Sequence, residues 1–263
     1  KPYMILQSFP KPEQYRMMLS GLVFIFFIHL QAQTILNTEN MAAPKDSALL
    51  LGTSLDGNFQ AGNVNLAQIN TTLLLGKRVN RHMVRFSGAY RYLSKDERVI
   101  SSDIISQFRY NYALDQLSVY AFTQTQKVKS LKMNYRFLLG GGYRHNFYRK
   151  DKDYFDISTG LFYEKELYLR DSPNEVNIQN VRLSNSAFIR YTIAPKTYIN
   201  TSVYYQLNLT NIRDLRFYFE PRLYHDFSKV STYLTGQLRY HSTPYVDVKP
   251  ADLILLLGFE FNF

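Results

Sequence analysis

From Ala48 onward the chain alternates apolar and polar residues with a period of two, in segments of ten to fourteen residues separated by Gly, Asn, Asp, Pro, Lys and Ser clusters. Successive side chains of a strand point to opposite faces, so this pattern predicts strands, each with one apolar and one polar face. In Asp252 to Phe263, Leu253, Leu255, Leu257, Phe259, Phe261 and Phe263 share one face, while Gly258, Glu260 and Asn262 share the other. Val84, Phe86, Tyr90 and Tyr92 alternate with Arg85, Ser87 and Arg91. Ile104, Phe108 and Tyr110 alternate with Asp103, Gln107 and Arg109, and Ala187, Ile189 and Tyr191 with Ser186 and Arg190. The chain is therefore expected to be all-β.

Alternation alone also fits a soluble sandwich with its apolar faces inward. Three features favour a transmembrane antiparallel up-and-down β-barrel. The segments run to ten or more residues, against about five or six for ordinary strands, and ten tilted residues match a bilayer. Their apolar faces often end in Tyr or Phe, as at Tyr90 with Tyr92, Tyr110 with Tyr112 and Phe261 with Phe263, where an interfacial girdle would lie. Strands at about 48–58, 63–76, 82–93, 100–113, 116–127, 131–147, 152–166, 181–194, 197–209, 214–226, 230–241 and 252–263 give about 12 (10–14), with tight turns at one end and the longer loops 167–180 and 242–251 at the other. Even strand number and unequal loop lengths are features of outer-membrane barrels. Either face of 116–127 could be apolar, and the period slips near Gln68 and Ile69, where a bulge is expected.

An export signal fits this placement. Lys11 and Arg16 precede an apolar run from Leu19 to Leu30 and a small-residue exit at Ala32. About twelve apolar residues suit a signal peptide, whereas a membrane helix needs about twenty. Residues 1–33 are read as an upstream segment and signal peptide, 34–47 as a periplasmic N-terminal segment and 48–263 as the barrel. Removing residues 1–33 takes away Lys1, Lys11, Arg16 and Glu13, so the formal charge falls from +10 to +8. The absence of Cys excludes disulfide frameworks, thiolate metal sites, cysteine nucleophiles and a lipid-modified N-terminal cysteine. Twenty-two Tyr and 19 Phe with no Trp exceed what a soluble core readily absorbs, and the excess is assigned to a lipid-facing stripe.

The C-terminal Gly258, Phe261 and Phe263 resemble the signal that outer-membrane barrels offer to their assembly machinery, departing from it at Leu256, where a polar residue is usual. Together with Gly57-Asn58 and Gly62-Asn63, and with Tyr135-Arg136 leading to Gly140-Gly141-Gly142-Tyr143, this closing strand makes residues 48–263 resemble the salt-induced outer-membrane protein family, YdiY-like. The resemblance implies an outer-membrane barrel of uncertain biochemical role and carries over no catalytic residue.

If the apolar stripes face lipid, the opposite stripes line a lumen. That set holds Arg85, Arg91, Arg109, Lys132, Arg136, Arg144, Arg182, Arg190, Arg216, Arg222 and Arg239 against Asp103, Asp156, Glu164, Glu166, Glu220 and Glu260, eleven bases to six acids. A basic constriction favours anions, so one expectation is a narrow porin-like pore for small anionic or polar solutes. The alternative is an occluded structural or loop-binding barrel, because long Arg and Glu side chains can cross a lumen of about twelve strands. A membrane-embedded lipid hydrolase would need His145, His225 or His241 beside a serine such as Ser158, Ser186 or Ser202, and no local pattern pairs them. No metal, nucleotide or other cofactor signal is present: Asp151, Asp153 and Asp156 lack the EF-hand glycine and terminal Glu, and Gly140-Gly141-Gly142 lacks a following Lys-Ser/Thr. The expected partners are outer-membrane lipid, lipopolysaccharide and, during biogenesis, the barrel assembly machinery; nucleic acid is not among them. Inward orientation of Arg85, Arg109, Arg136 and Arg190 is the requirement on which this reading stands.

Overall fold

The computed structural model describes residues 49–61, 65–169, 175–227 and 229–262. The expected signal peptide, the 34–47 segment, Gly62, Asn63 and Phe263 lie outside them. The described residues form twelve strands: β1 (Leu49–Gln60), β2 (Leu66–Val79), β3 (His82–Lys95), β4 (Arg98–Leu114), β5 (Leu117–Val128), β6 (Met133–Lys150), β7 (Asp153–Tyr168), β8 (Val176–Ala194), β9 (Thr197–Asn208), β10 (Leu215–Asp226), β11 (Val230–His241) and β12 (Ala251–Asn262). Each pairs antiparallel with its sequence neighbours, and β1 pairs with β12, from Gly52 opposite Asn262 to Gly57 opposite Leu257. The β1–β12 seam, six residue pairs long, closes the sheet on itself, as a strand-built membrane span requires.

The wall is apolar outside and polar inside. Leu55, Leu75, Phe86, Phe108, Leu139, Leu161, Leu234, Leu257 and Phe259 are exposed, while Ser54, Gln107, Gln124, Arg136, Glu164, Asn200 and Glu220 are buried. A water-soluble domain sorts these residues the other way. Connections are also unequal: 80–81, 115–116, 151–152 and 195–196 turn in two residues at one end, and the other carries 129–132, 209–214 and 242–250 together with one two-residue turn, 96–97.

Several expectations are corrected. The pairing of β2 with β1 and β3 runs without a register shift, so there is no bulge at Gln68 and Ile69; outward Thr71 and inward Leu74 merely blur the sequence pattern. Register shifts fall instead at Leu93/Ser94, Gln126/Val128, Met133/Tyr135, Asn146/Tyr148 and Thr192/Ala194. The expected loop 167–180 is shorter, because Val176 to Asn180 pair with Glu164 to Tyr168. On 116–127, Val119 faces outward, while Tyr120 and Phe122 line the interior. Glycine makes this possible: a Cβ on Gly160 would lie 2.6 Å from the Tyr120 hydroxyl. The aromatic load is likewise divided, since Phe162, Phe188, Tyr198, Tyr218, Tyr224 and Tyr233 are buried inside rather than facing lipid.

Candidate functional site

At the loop end the inward faces of β6, β7, β8 and β10 bring Arg136, Glu164, Glu166, Arg182 and Arg216 together, all essentially inaccessible. Glu164 accepts from Arg182 Nε at 2.6 Å, Arg216 Nη1 at 2.7 Å and Arg136 Nη2 at 3.1 Å. Glu166 accepts from Arg136 Nε at 2.8 Å and from Arg216 Nη2 at 3.1 Å. Asp214, between β9 and β10, accepts from Arg182 Nη2 at 2.6 Å and from His241 Nε2 at 2.7 Å. Three guanidiniums thus meet three carboxylates. Buried charges are stabilised when opposed and hydrogen-bonded, and Asn180 and Tyr168 add further donors, to Glu164 at 3.2 Å and to Glu166 at 3.0 Å, while Arg216 Nε is left without an acceptor. Arg216 reaches from β10 across β9 and β8 to the β7 carboxylates, so the network bridges the adjacent strands β6 to β10 inside the wall.

The 242–250 loop folds onto this network. The Tyr245 hydroxyl donates to Asp214 and accepts from Arg182 Nη2 at 2.8 Å and Asn180 Nδ2 at 2.9 Å. Its ring meets Tyr168 and His241 edge-on, with centroids 5.8 and 5.3 Å away. Tyr245 and Val246 pack on a buried cluster of Val128, Leu131, Met133 and Tyr168. The 3-10 turn Lys129–Leu131 extends the cover, with the Lys129 N–H donating to Asp103 Oδ1 at 2.9 Å. Burial pushes the Asp214 carboxyl up, but hydrogen bonds from His241, Arg182 and Tyr245 outweigh it and hold the group well below the usual carboxylate range. Burial lifts the Tyr245 phenol well above its ordinary range, so it remains a donor.

Below this cover the lumen is filled by side chains. Glu220 accepts from Tyr218, from Gln237 Nε2 at 2.6 Å and from Arg222 Nε at 3.0 Å. Tyr198 stacks on Tyr224 at 4.8 Å, Tyr224 donates to Glu260 at 3.0 Å, and Tyr233 donates to Asp56 at 2.7 Å. A cavity of about 70 Å³ among Arg109, Tyr120, Gln124, Phe188 and Tyr204 remains at mid-height. Toward the turn end the lumen widens into a vestibule of about 740 Å³ that includes Arg85, Arg144, Asp156, Arg190, Asn200 and Glu260 in its lining.

Arg85, Arg109, Arg136 and Arg190 are therefore inside, as are Arg91, Arg144, Arg182, Arg216, Arg222 and Arg239 and the acids Asp103, Asp156, Glu164, Glu166, Glu220 and Glu260. Lys132 is the exception. It caps the 3-10 turn in a left-handed conformation (φ 54°) in the β5–β6 connection, where the irregularity also turns Met133 inward. Sequence reasoning missed three buried acids, Asp56, Asp214 and Asp252. Asp56 and Asp252 have the inward parity of Ser54 and Glu260, which could have found them; Asp214 stands just outside a strand. With them, the inward residues named here set ten arginines against nine carboxylates, and the turn-end lining adds Arg78, Arg81, Arg149 and Lys152 against Asp115, Asp151, Asp153 and Asp226, so the expected excess of eleven to six nearly vanishes. Among the described hydrogen bonds, His82 meets Tyr110, His225 meets Thr197 and His241 meets Asp214; none pairs a histidine with a serine.

A closed antiparallel wall with an apolar exterior, a polar interior and unequal ends defines a β-barrel of the outer-membrane class. The fold is similar to an outer-membrane channel (COG4313) of Pseudomonas putida F1, with TM-score 0.53 and 10% identity over 87% of this chain and 100% of that one. It is also similar to the translocator domain of the autotransporter NalP from Neisseria meningitidis, with TM-score 0.53 and 9% identity over 82% and 89% of the two chains. At these identities the likeness shows the fold alone. No curated protein matches the chain. The model of the family described as "Protein of unknown function, DUF481" matches residues 55–263, and the chain belongs to that family, the YdiY-like salt-induced outer-membrane proteins.

Proposed function

We propose that this chain is an occluded outer-membrane barrel, closed to free diffusion at its loop end and open only through the turn-end vestibule. The observation that carries this reading is the buried network of Arg136, Arg182 and Arg216 with Glu164, Glu166 and Asp214, built inside the wall of β6 to β10 and covered by Tyr245. Passage through it would require separating buried ion pairs, and breaking even one such pair costs about 3–5 kcal/mol. In this reading both termini and the short turns face the periplasm, as in other outer-membrane barrels, and the covered end faces outward. The lipid-facing stripe meets outer-membrane lipid, the rim meets lipopolysaccharide, and β12 presents Gly258 and Phe261 to the assembly machinery. A standing pore for anions finds less support, because the near-balanced interior supplies little net positive field and the loop end carries the buried cluster under Tyr245 and Val246. Planar-bilayer recording of the purified barrel tests the proposal: the expected result is no steady current, and a steady anion-selective current would overturn it in favour of the pore.

A further inference from the structure

The vestibule, at about 740 Å³, falls within the roughly 300–1,000 Å³ of small-molecule sites. Its charges differ in how they are engaged. Asp156 is paired with Arg144 at 2.6 Å, Asp226 accepts from Ser231 at 2.7 Å, Glu260 accepts from Tyr224 at 3.0 Å and Asp153 accepts from Thr192 at 2.6 Å, so these carboxylates already have donors, while Asp115 and Asp151 join Arg81, Arg149 and Lys152 in the lining. Arg190 is held differently. Its guanidinium lies 3.7 Å from the Tyr198 ring centroid, and its buried Nε has no hydrogen-bond acceptor. Stacking on a ring fixes the guanidinium plane while leaving its edge N–H groups to be used in that plane. Six strands round the wall from β8, β2 carries Arg78 into the same cavity, with Arg85 beside it on β3. Arg190 on one side thus faces Arg78 and Arg85 on the other across the cavity, with Arg78 Nε donating to the Asn80 carbonyl at 3.2 Å, and the planar guanidinium is the group that carboxylates and phosphates accept bidentately.

We propose that the vestibule binds a small solute bearing two or more negative charges, carboxylate or phosphate, which enters from the turn end, lies against Arg190 on its Tyr198 platform and reaches the Arg78–Arg85 arc. This inference shares with the occluded reading only the open turn end. Neutral solutes gain no charge attraction from the arginines, and a cation would have to compete with the donors that already satisfy Asp156, Asp226 and Glu260.

Titration calorimetry on the whole barrel refolded in detergent micelles tests it, with citrate as the carboxylate probe, pyrophosphate as the phosphate probe and sucrose as the neutral control. At least one anion is expected to bind while sucrose does not, and which one binds identifies the anion class. Replacing Arg190 (Arg190→Ala) should weaken that binding at least about tenfold, since a hydrogen bond to a charged group contributes about 1.5–3 kcal/mol and each 1.4 kcal/mol is tenfold. Arg213→Ala, in the exposed loop at the far end, should leave it unchanged. Heat-modifiable gel mobility verifies that each variant is folded. No binding of either anion beyond sucrose, or equal affinity in folded Arg190→Ala, overturns the proposal. A steady bilayer current would remove the occluded reading alone, because binding is read without reference to conduction.

Discussion

Glu164 receives three guanidinium groups and an amide while fully excluded from water. Truncating it leaves Arg136, Arg182 and Arg216 facing only Glu166 and Asp214, an uncompensated positive charge in a buried setting. Glu164→Ala is therefore expected to lower stability by about 3–5 kcal/mol, measured by denaturant unfolding in micelles. A loss near zero would mean that water reaches the network. Asp214 gives a pH dependence of defined sign. Its folded-state value lies below the unfolded value of about 3.9, so its stabilisation is complete above that value and is lost as pH falls through the folded one. The stability difference between the natural chain and Asp214→Asn should stay constant from pH 8 to about 5 and shrink only below about 4. Thermal unfolding of the two across that range checks it, and a difference that grows on acidification contradicts the assignment.

The strands were the most legible elements, because their two faces meet different solvents and a one-residue slip would reverse every side chain. Legibility failed where that contrast fades. In β5, Tyr120 and Phe122 point inward because Gly160 and its neighbours leave room, a long-range relation that alternation does not encode. In β8, Val176 to Asn180 reads as a polar loop, yet Ile178 packs on the buried cluster under Tyr245 and Asn180 bonds Glu164. Gly258 on β12 carries a second, structural meaning beside the assembly-signal resemblance. Tyr233 on β11 donates to Asp56 on β1 across it, and a Cβ there would lie 2.5 Å from the Tyr233 ring and 2.6 Å from Asp56 Cβ. Gly258→Ala should break this tie at the closing seam and destabilise the barrel by about 1–3 kcal/mol, the usual cost of overpacking, read as a lower denaturant midpoint. An unchanged midpoint would show that Tyr233 moves aside without cost.

At the scale of the whole molecule, an apolar exterior around a charged interior was visible in the sequence, and so was the possibility that those charges fill the lumen. The sequence does not choose between a filled and an open lumen, because that depends on where side chains from distant strands meet. Arg216 and Glu164 stand 52 residues apart, and no local pattern foretells that they touch at 2.7 Å under a loop that begins only after β11. Nor did the list of inward charges include Asp56, Asp214 and Asp252, which turn an apparent basic channel into a nearly balanced one. The central claim is that this balanced network and the 242–250 loop close the barrel. Single-channel recording in planar bilayers tests it most directly: the account predicts no sustained conductance for the natural chain at neutral pH, and a stable open level at low voltage would contradict it.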